Sequence, residues 1–133
     1  MTSSTWVHTA DDAIPPLSAD LENLFADLAA VQDPGIDQIL AGLRLIALDR
    51  HDLDSTQTLV ATLAGGSDGT HVVALIGQII ARLATADTNP ALRGLPDYQQ
   101  KLAQLHGETT AFALTNSRIH QFAADTAAAI DGI

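Results

Sequence analysis

Apolar residues recur along this chain at steps of three and four, and the longest such run lies at its C-terminal end. Tyr98, Leu102, Leu105, Thr109, Phe112, Asn116, Ile119, Ala123, Thr126 and Ile130 follow one another with steps alternating between four and three. A 3.5-residue repeat keeps one seam of a helix facing a partner over its whole length, so 97–130 reads as a single long helix with coiled-coil-like packing. At ~1.5 Å per residue it spans roughly 50 Å. Three seam positions, Thr109, Asn116 and Thr126, are polar, and a polar group costs stability when it is buried without a partner. Asn116 is the kind of residue that fixes register or oligomer state when it sits in such a seam. Gly107, inside the same helix, marks either a bend or the close approach of another helix.

The segments before it repeat the helical period in shorter pieces. Ser18 is an N-cap with Asp20 and Glu22 in the first turn, and Leu17, Leu21, Leu24, Phe25, Leu28 and Val31 form the stripe of a first helix ending near Gln32. Asp33-Pro34 restarts the chain as a second helix that buries Ile36, Ile39, Leu40, Leu43, Ile46 and Ala47, with Leu45 and Leu48 widening its apolar surface. Asp54 and Gln57 have the spacing of a capping box opening a third helix, which Gly65-Gly66 stops. Beyond the Asp68-Gly69 turn, 72–83 is the most apolar stretch and is expected to be the central helix. Its Ala74, Gly77 and Ala81 offer a small-residue face to another backbone. Residues 85–96 form a connector, and Asp97 with Gln100 repeats the capping-box spacing. No strand pattern survives. The pattern predicts an all-α antiparallel bundle of about five helices with a long heptad-patterned C-terminal helix, one domain over 17–133 behind a flexible arm over 1–16.

Composition narrows the core and the partners. Aromatic residues make up only 4 % of the 133 positions, so the core is built from Leu, Ile, Val and Ala. The net charge of −10, from 16 acidic against 6 basic residues, opposes direct binding to nucleic acid or to an anionic membrane. No basic start with an apolar run opens the chain, and no apolar stretch reaches the ~18 residues of a membrane span, which leaves a cytoplasmic location as the default expectation. Asp outnumbers Glu and Arg outnumbers Lys, a bias expected of a GC-rich bacterial genome. Without cysteine there are no disulfides, thiolate metal sites or cysteine nucleophiles.

Candidate chemistry is sparse. Asp49, His51, Asp52 and Asp54 form the densest group of potential ligands, but they lack calcium-loop spacing and contain Arg50, so they read as a solvated corner. His106 and His120 follow seam positions by one residue but lie about 21 Å apart along the helix and share no metal. Gly65-Gly66-Ser67-Asp68-Gly69 lacks the lysine and preceding strand of a phosphate loop. No catalytic residue, cofactor or metal site is assigned, and the chain is expected not to be an enzyme. The leading expectation is a small acidic protein–protein interaction module that binds a protein partner or a second copy of itself, including the case of a decoy for a basic-surfaced protein. The candidate contacts are Trp6 on the arm, Phe112, Asn116 and Ile119 on the seam, and His120 on its flank. The alternative is a small-molecule pocket between the second, fourth and C-terminal helices, with Asn116, Thr109 and His71 as its polar groups.

Overall fold

The computed structural model describes residues 14–66, 69–116 and 118–131. The fold is all-α, with six α-helices among the described residues: α1 (Ala19–Ala29), α2 (Pro34–Leu48), α3 (Leu53–Val60), α4 (Val72–Leu83), α5 (Asp97–Asn116) and α6 (Arg118–Asp131). They fall into two compact units, residues 1–50 and 51–133.

The first unit is a helical hairpin. Its caps are those the sequence specifies: the Ser18 hydroxyl accepts from the Leu21 N–H at 3.2 Å, and the Asp33 carboxylate accepts from the Ile36 N–H at 3.0 Å with Pro34 in the first helical position. Gln32 turns the corner with φ of 59°, in the left-handed region that glycine usually occupies. Across the hairpin, Arg44 donates to a Glu22 oxygen at 2.7 Å while its guanidinium lies 4.6 Å from the Phe25 ring centre. Leu40 is buried, whereas Leu24, Val31 and Leu45 remain exposed.

The second unit is packed through its smallest residues. α4 and α5 run antiparallel, with Gly77 opposite Ala111 and Leu114 and Gly107 opposite Ala81 and Ala84. A Cβ added to Gly107 would lie 2.6 Å from that of Ala84, and one added to Gly77 would lie 3.1 Å from the Ala111 Cα. The backbones therefore touch, and Gly107 marks close approach within an unbroken α5. The same device joins α6 to the chain leaving α3, which widens into a single π-helical turn at Ala61–Gly65. There a Cβ on Gly65 would fall 2.7 Å from the Ala124 nitrogen.

Two expectations change at this level. α4, expected to be the central helix, packs chiefly along α5; its buried residues are Ala74 and Gly77, while Leu75, Ile76, Ile79, Ile80 and Leu83 are exposed. Helices that meet along a line of small residues come so close that larger side chains are pushed to the flanks. The caps also differ. α3 opens at Asp52, whose carboxylate accepts from the Ser55 N–H at 2.7 Å, leaving Asp54 inside the first turn. The Gln100 amide reaches back to the Arg93 and Leu95 carbonyls, at 3.2 and 2.9 Å, instead of closing a box with Asp97.

Candidate functional site: an outward seam and a histidine-capped cleft

α5 has two unlike faces. Gly107 and Ala111 point into the α4 contact and are buried. Leu105 and Thr109 each stand two residues from Gly107, which is ~200° around the helix, so the heptad seam points away from α4. Its large members are in water: Tyr98 and Phe112 are each 68 % exposed and Ile119 is 55 % exposed, with Leu102 and Leu105 also exposed. α6 is built alike, with Ala127 buried and Ile119 and Phe122 exposed. The seam that the sequence pairs with another helix is thus uncovered from Tyr98 to Ile119, whereas Ala123 and Ile130 on α6 are half-buried.

Its polar positions are satisfied locally. Asn116 is exposed, and its amide donates to the Phe112 carbonyl at 3.2 Å, so the buried, cross-helix Asn116 that the heptad pattern suggests is absent within one chain. Thr109 and Thr126 donate to the carbonyls of Leu105 and Phe122, each at 2.9 Å. Between residues 98 and 124 the only charged side chains are Lys101, Glu108 and Arg118, so all of the chain's negative net charge lies elsewhere.

The second feature lies at the start of α4. His71 is the N-cap: its Nδ1 accepts from the Ala74 N–H at 3.0 Å, and the residue is only 6 % exposed. The His120 ring stacks on it, nearly parallel at 13° with ring centres 6.1 Å apart. Burial first, and the neighbouring His120 second, hold the His71 imidazole below its ordinary pKa and so keep it neutral. Three buried polar atoms here have no hydrogen-bond partner: His71 Nε2, His120 Nδ1 and Thr115 Oγ1. Thr115 differs from five other threonines in or beside the helices. Thr56, Thr62, Thr109, Thr110 and Thr126 each donate to the carbonyl four residues earlier, at 2.7 to 2.9 Å. The Thr115 methyl instead seats against Gly69, where an added Cβ would meet it at 2.6 Å. His71 and Thr115 line one open cleft of about 610 Å³ with Thr62, Thr70, Val72, Leu75 and Gln78.

Of the residues singled out in the sequence, Phe112, Asn116 and Ile119 share the exposed seam, while His120 turns from its flank toward His71. Trp6 lies outside the described residues. The polar groups of the pocket alternative are not gathered in one place: His71 faces the cleft with Thr115, Asn116 lines a separate open groove beside Phe112, and Thr109 is exposed. The acidic corner is occupied by local hydrogen bonding, since Asp52 caps the start of α3 and a carboxylate oxygen of Asp49 accepts from the Arg50 N–H at 2.8 Å. Among the described residues no group of three or more His, Asp or Glu could hold a metal ion, and no helix is long and apolar enough to cross a membrane. The role of Thr115 and the His71–His120 pair left no trace in sequence spacing, because 49 positions separate the two histidines. No family model, curated protein or solved structure matches this chain.

Proposed function

We propose that the chain is a non-enzymatic protein–protein interaction module whose docking face is the seam of α5 and α6. The observation that carries this reading is a heptad repeat whose large residues from Tyr98 to Ile119 are exposed in the folded chain. Tyr98, Leu102, Leu105, Phe112 and Ile119 together offer roughly 500 Å² of apolar surface, a large share of the ~800 Å² per partner in a standard interface. Burying such side chains stabilises a complex by about 1.5–3 kcal/mol each before the costs of association.

A like seam is the partner that suits it. Leu102, Thr109, Asn116, Ala123 and Ile130 occupy the set of heptad positions at which a polar residue meets its own counterpart across a parallel pair of helices. Each Asn116 amide then has a partner in the other copy. The scarcity of charge along 98–124 lets two seams approach without the repulsion that a net charge of −10 implies.

Sedimentation equilibrium tests this directly. The chain is expected to self-associate at micromolar concentration, and Leu105→Ser with Phe112→Ser is expected to leave a helical monomer. A chain that stays monomeric up to about 1 mM removes the second copy as partner.

A further inference from the structure

The α1–α2 hairpin has two unlike sides. On one, Arg44 reaches Glu22 at 2.7 Å and lies over the Phe25 ring, with Asp37 lining the same groove. Arg44 is the only Lys or Arg between Ala19 and Leu48, so the hairpin's single cation is already engaged there. On the other side Leu21, Leu24, Leu28, Leu43 and Ala47 line an apolar groove of about 220 Å³, with Phe25 shared between the two sides. Its leucines are open to water: Leu21 is 37 % exposed, Leu24 55 %, Leu28 43 % and Leu43 38 %. α1 buries none of its residues and α2 buries only Leu40. Two helices do not cover their own apolar stripes, and a third helix laid along the groove supplies the missing surface.

Charge decides what kind of helix that is. Asp20 and Asp27 stand one residue before Leu21 and Leu28, and four before and three after Leu24, so they run along the outer edge of the leucine stripe two turns apart. Both are exposed. We propose that this side of the hairpin is a docking groove for one amphipathic helix of another protein, whose apolar stripe is flanked by Lys or Arg. Large apolar side chains three and four residues apart on the partner fill the groove, and its flanking cations meet Asp20 and Asp27. The apolar contact supplies the affinity, while the rim charges select the partner and speed its approach. This chain's own helices do not answer that description, since none of α1 to α6 carries more than one Lys or Arg. A second copy of the hairpin fits worse still: it would bring Asp20, Glu22, Asp27, Asp33 and Asp37 against the same five residues, with Arg44 alone to offset them.

The probe is a helical peptide of three Leu-Lys-Lys-Leu-Leu-Lys-Lys repeats, and the same peptide with Glu for every Lys is the control. It is titrated into the full ¹⁵N-labelled chain carrying Leu105→Ser and Phe112→Ser, so that the outcome does not depend on whether the seam pairs. A saturable shift of the Leu21, Leu24, Leu28, Leu43 and Ala47 amides is expected, with Kd on the order of 10 μM and at least about tenfold weaker binding of the Glu peptide. Leu24→Ser with Leu28→Ser leaves every charge in place and is expected to weaken binding at least about tenfold. Asp20→Asn with Asp27→Asn leaves the apolar face intact and is expected to weaken it about fivefold; this pair decides the matter should the leucine variant lose the hairpin's signals. Binding indifferent to the leucine substitutions shows only the general attraction of a cationic peptide to an acidic chain and overturns the groove. Equal binding of the Glu peptide, or indifference to the Asp pair, overturns the basic partner. Shifts that do not saturate, or that fall only among residues 70–130, overturn docking on the hairpin.

Discussion

The two faces of α5 make opposite use of the same helix. Inward, Gly107 and Ala111 bring α4 to backbone contact; outward, Tyr98, Leu105 and Phe112 carry far more apolar surface and leave it in water. Size explains the division. Small side chains bury little area each, but they let two helices meet closely enough for main-chain atoms to supply the dispersion contacts, and they lose almost no rotamer entropy on doing so. Large seam residues cannot enter that contact without prising the helices apart. The internal fold thus rests on the inner face, and the apolar area of the outer face is available for association.

Substitutions that enlarge the inner face break this arrangement most severely. At Gly65 an added Cβ meets backbone atoms, Ala124 N at 2.7 Å and Ala123 C at 2.9 Å, which cannot rotate away. Gly65→Val is expected to destabilise the second unit by about 3 kcal/mol or more. Gly107→Val, whose Cβ meets the Ala84 methyl at 2.6 Å and the Ala81 Cα at 3.2 Å, is expected to cost about 2–3 kcal/mol. Phe112→Ser on the opposite face is expected to change the monomer by no more than ~0.5 kcal/mol. Urea denaturation of the three variants measures the contrast; equal losses at Gly107 and Phe112 would show that the seam is covered in the folded chain.

An intermediate effect is expected on the flank of α4. Ile76 and Ile79 are 42 % and 48 % exposed, so Ile76→Ala and Ile79→Ala should each cost about 1 kcal/mol, short of the 2–5 kcal/mol of a fully buried isoleucine. A loss above about 2 kcal/mol at either site, measured below the concentration of self-association, would place that side chain in an internal core.

Much of this architecture is legible in the residues. The 3.6-residue stripes, Ser18, Asp33-Pro34 and the small line Ala74, Gly77, Ala81 give helix positions, two caps and one packing face directly, because each is local chemistry. What the residues do not declare is which of two apolar faces a helix uses. Ile76 and Ile79 belong to the stretch read as central because hydrophobicity records a preference for leaving water without saying whose surface will receive it. The His71 cap illustrates another limit. Capping by an imidazole follows no common preference, and its stacking on His120 is created wholly by tertiary folding.

The inner packing has a titratable edge. His71 has its pKa lowered from 6.5 in the folded chain, so the unfolded chain binds the proton more readily. Its contribution is fully present above the ordinary value of 6.5 and is lost as pH falls from there toward the lowered one, because the charged ring is disfavoured by burial and by His120. Protonation at Nδ1 also removes the α4 cap. Stability in urea is expected to decline between pH 7.5 and 5, and His71→Asn should flatten that decline. Asp52 titrates in a separate window: the Ser55 hydrogen bonds lower its pKa from 3.8, so its contribution persists above that value and fades only in stronger acid. Stability that rises as pH falls from 7 to 5 would contradict the assignment of a buried neutral His71.

The smallest effect on the monomer is expected at Asn116, and it is the sharpest test of what the outer face is for. The side chain is exposed and bonded only to the Phe112 carbonyl of its own helix, so Asn116→Leu should move monomer stability by no more than ~0.5 kcal/mol. In a paired seam the same position is buried between helices, and an amide there limits affinity while rejecting alternative registers, since a shifted register leaves it facing an apolar side chain. Replacing it with leucine removes both constraints. Asn116→Leu is therefore expected to tighten self-association by about tenfold or more and to replace one defined oligomer with a mixture, observed together by sedimentation velocity. Tighter association into a single unchanged species would leave the seam as the docking face but deny Asn116 its role in register; an unchanged dissociation constant would mean that α5 meets its partner through another face.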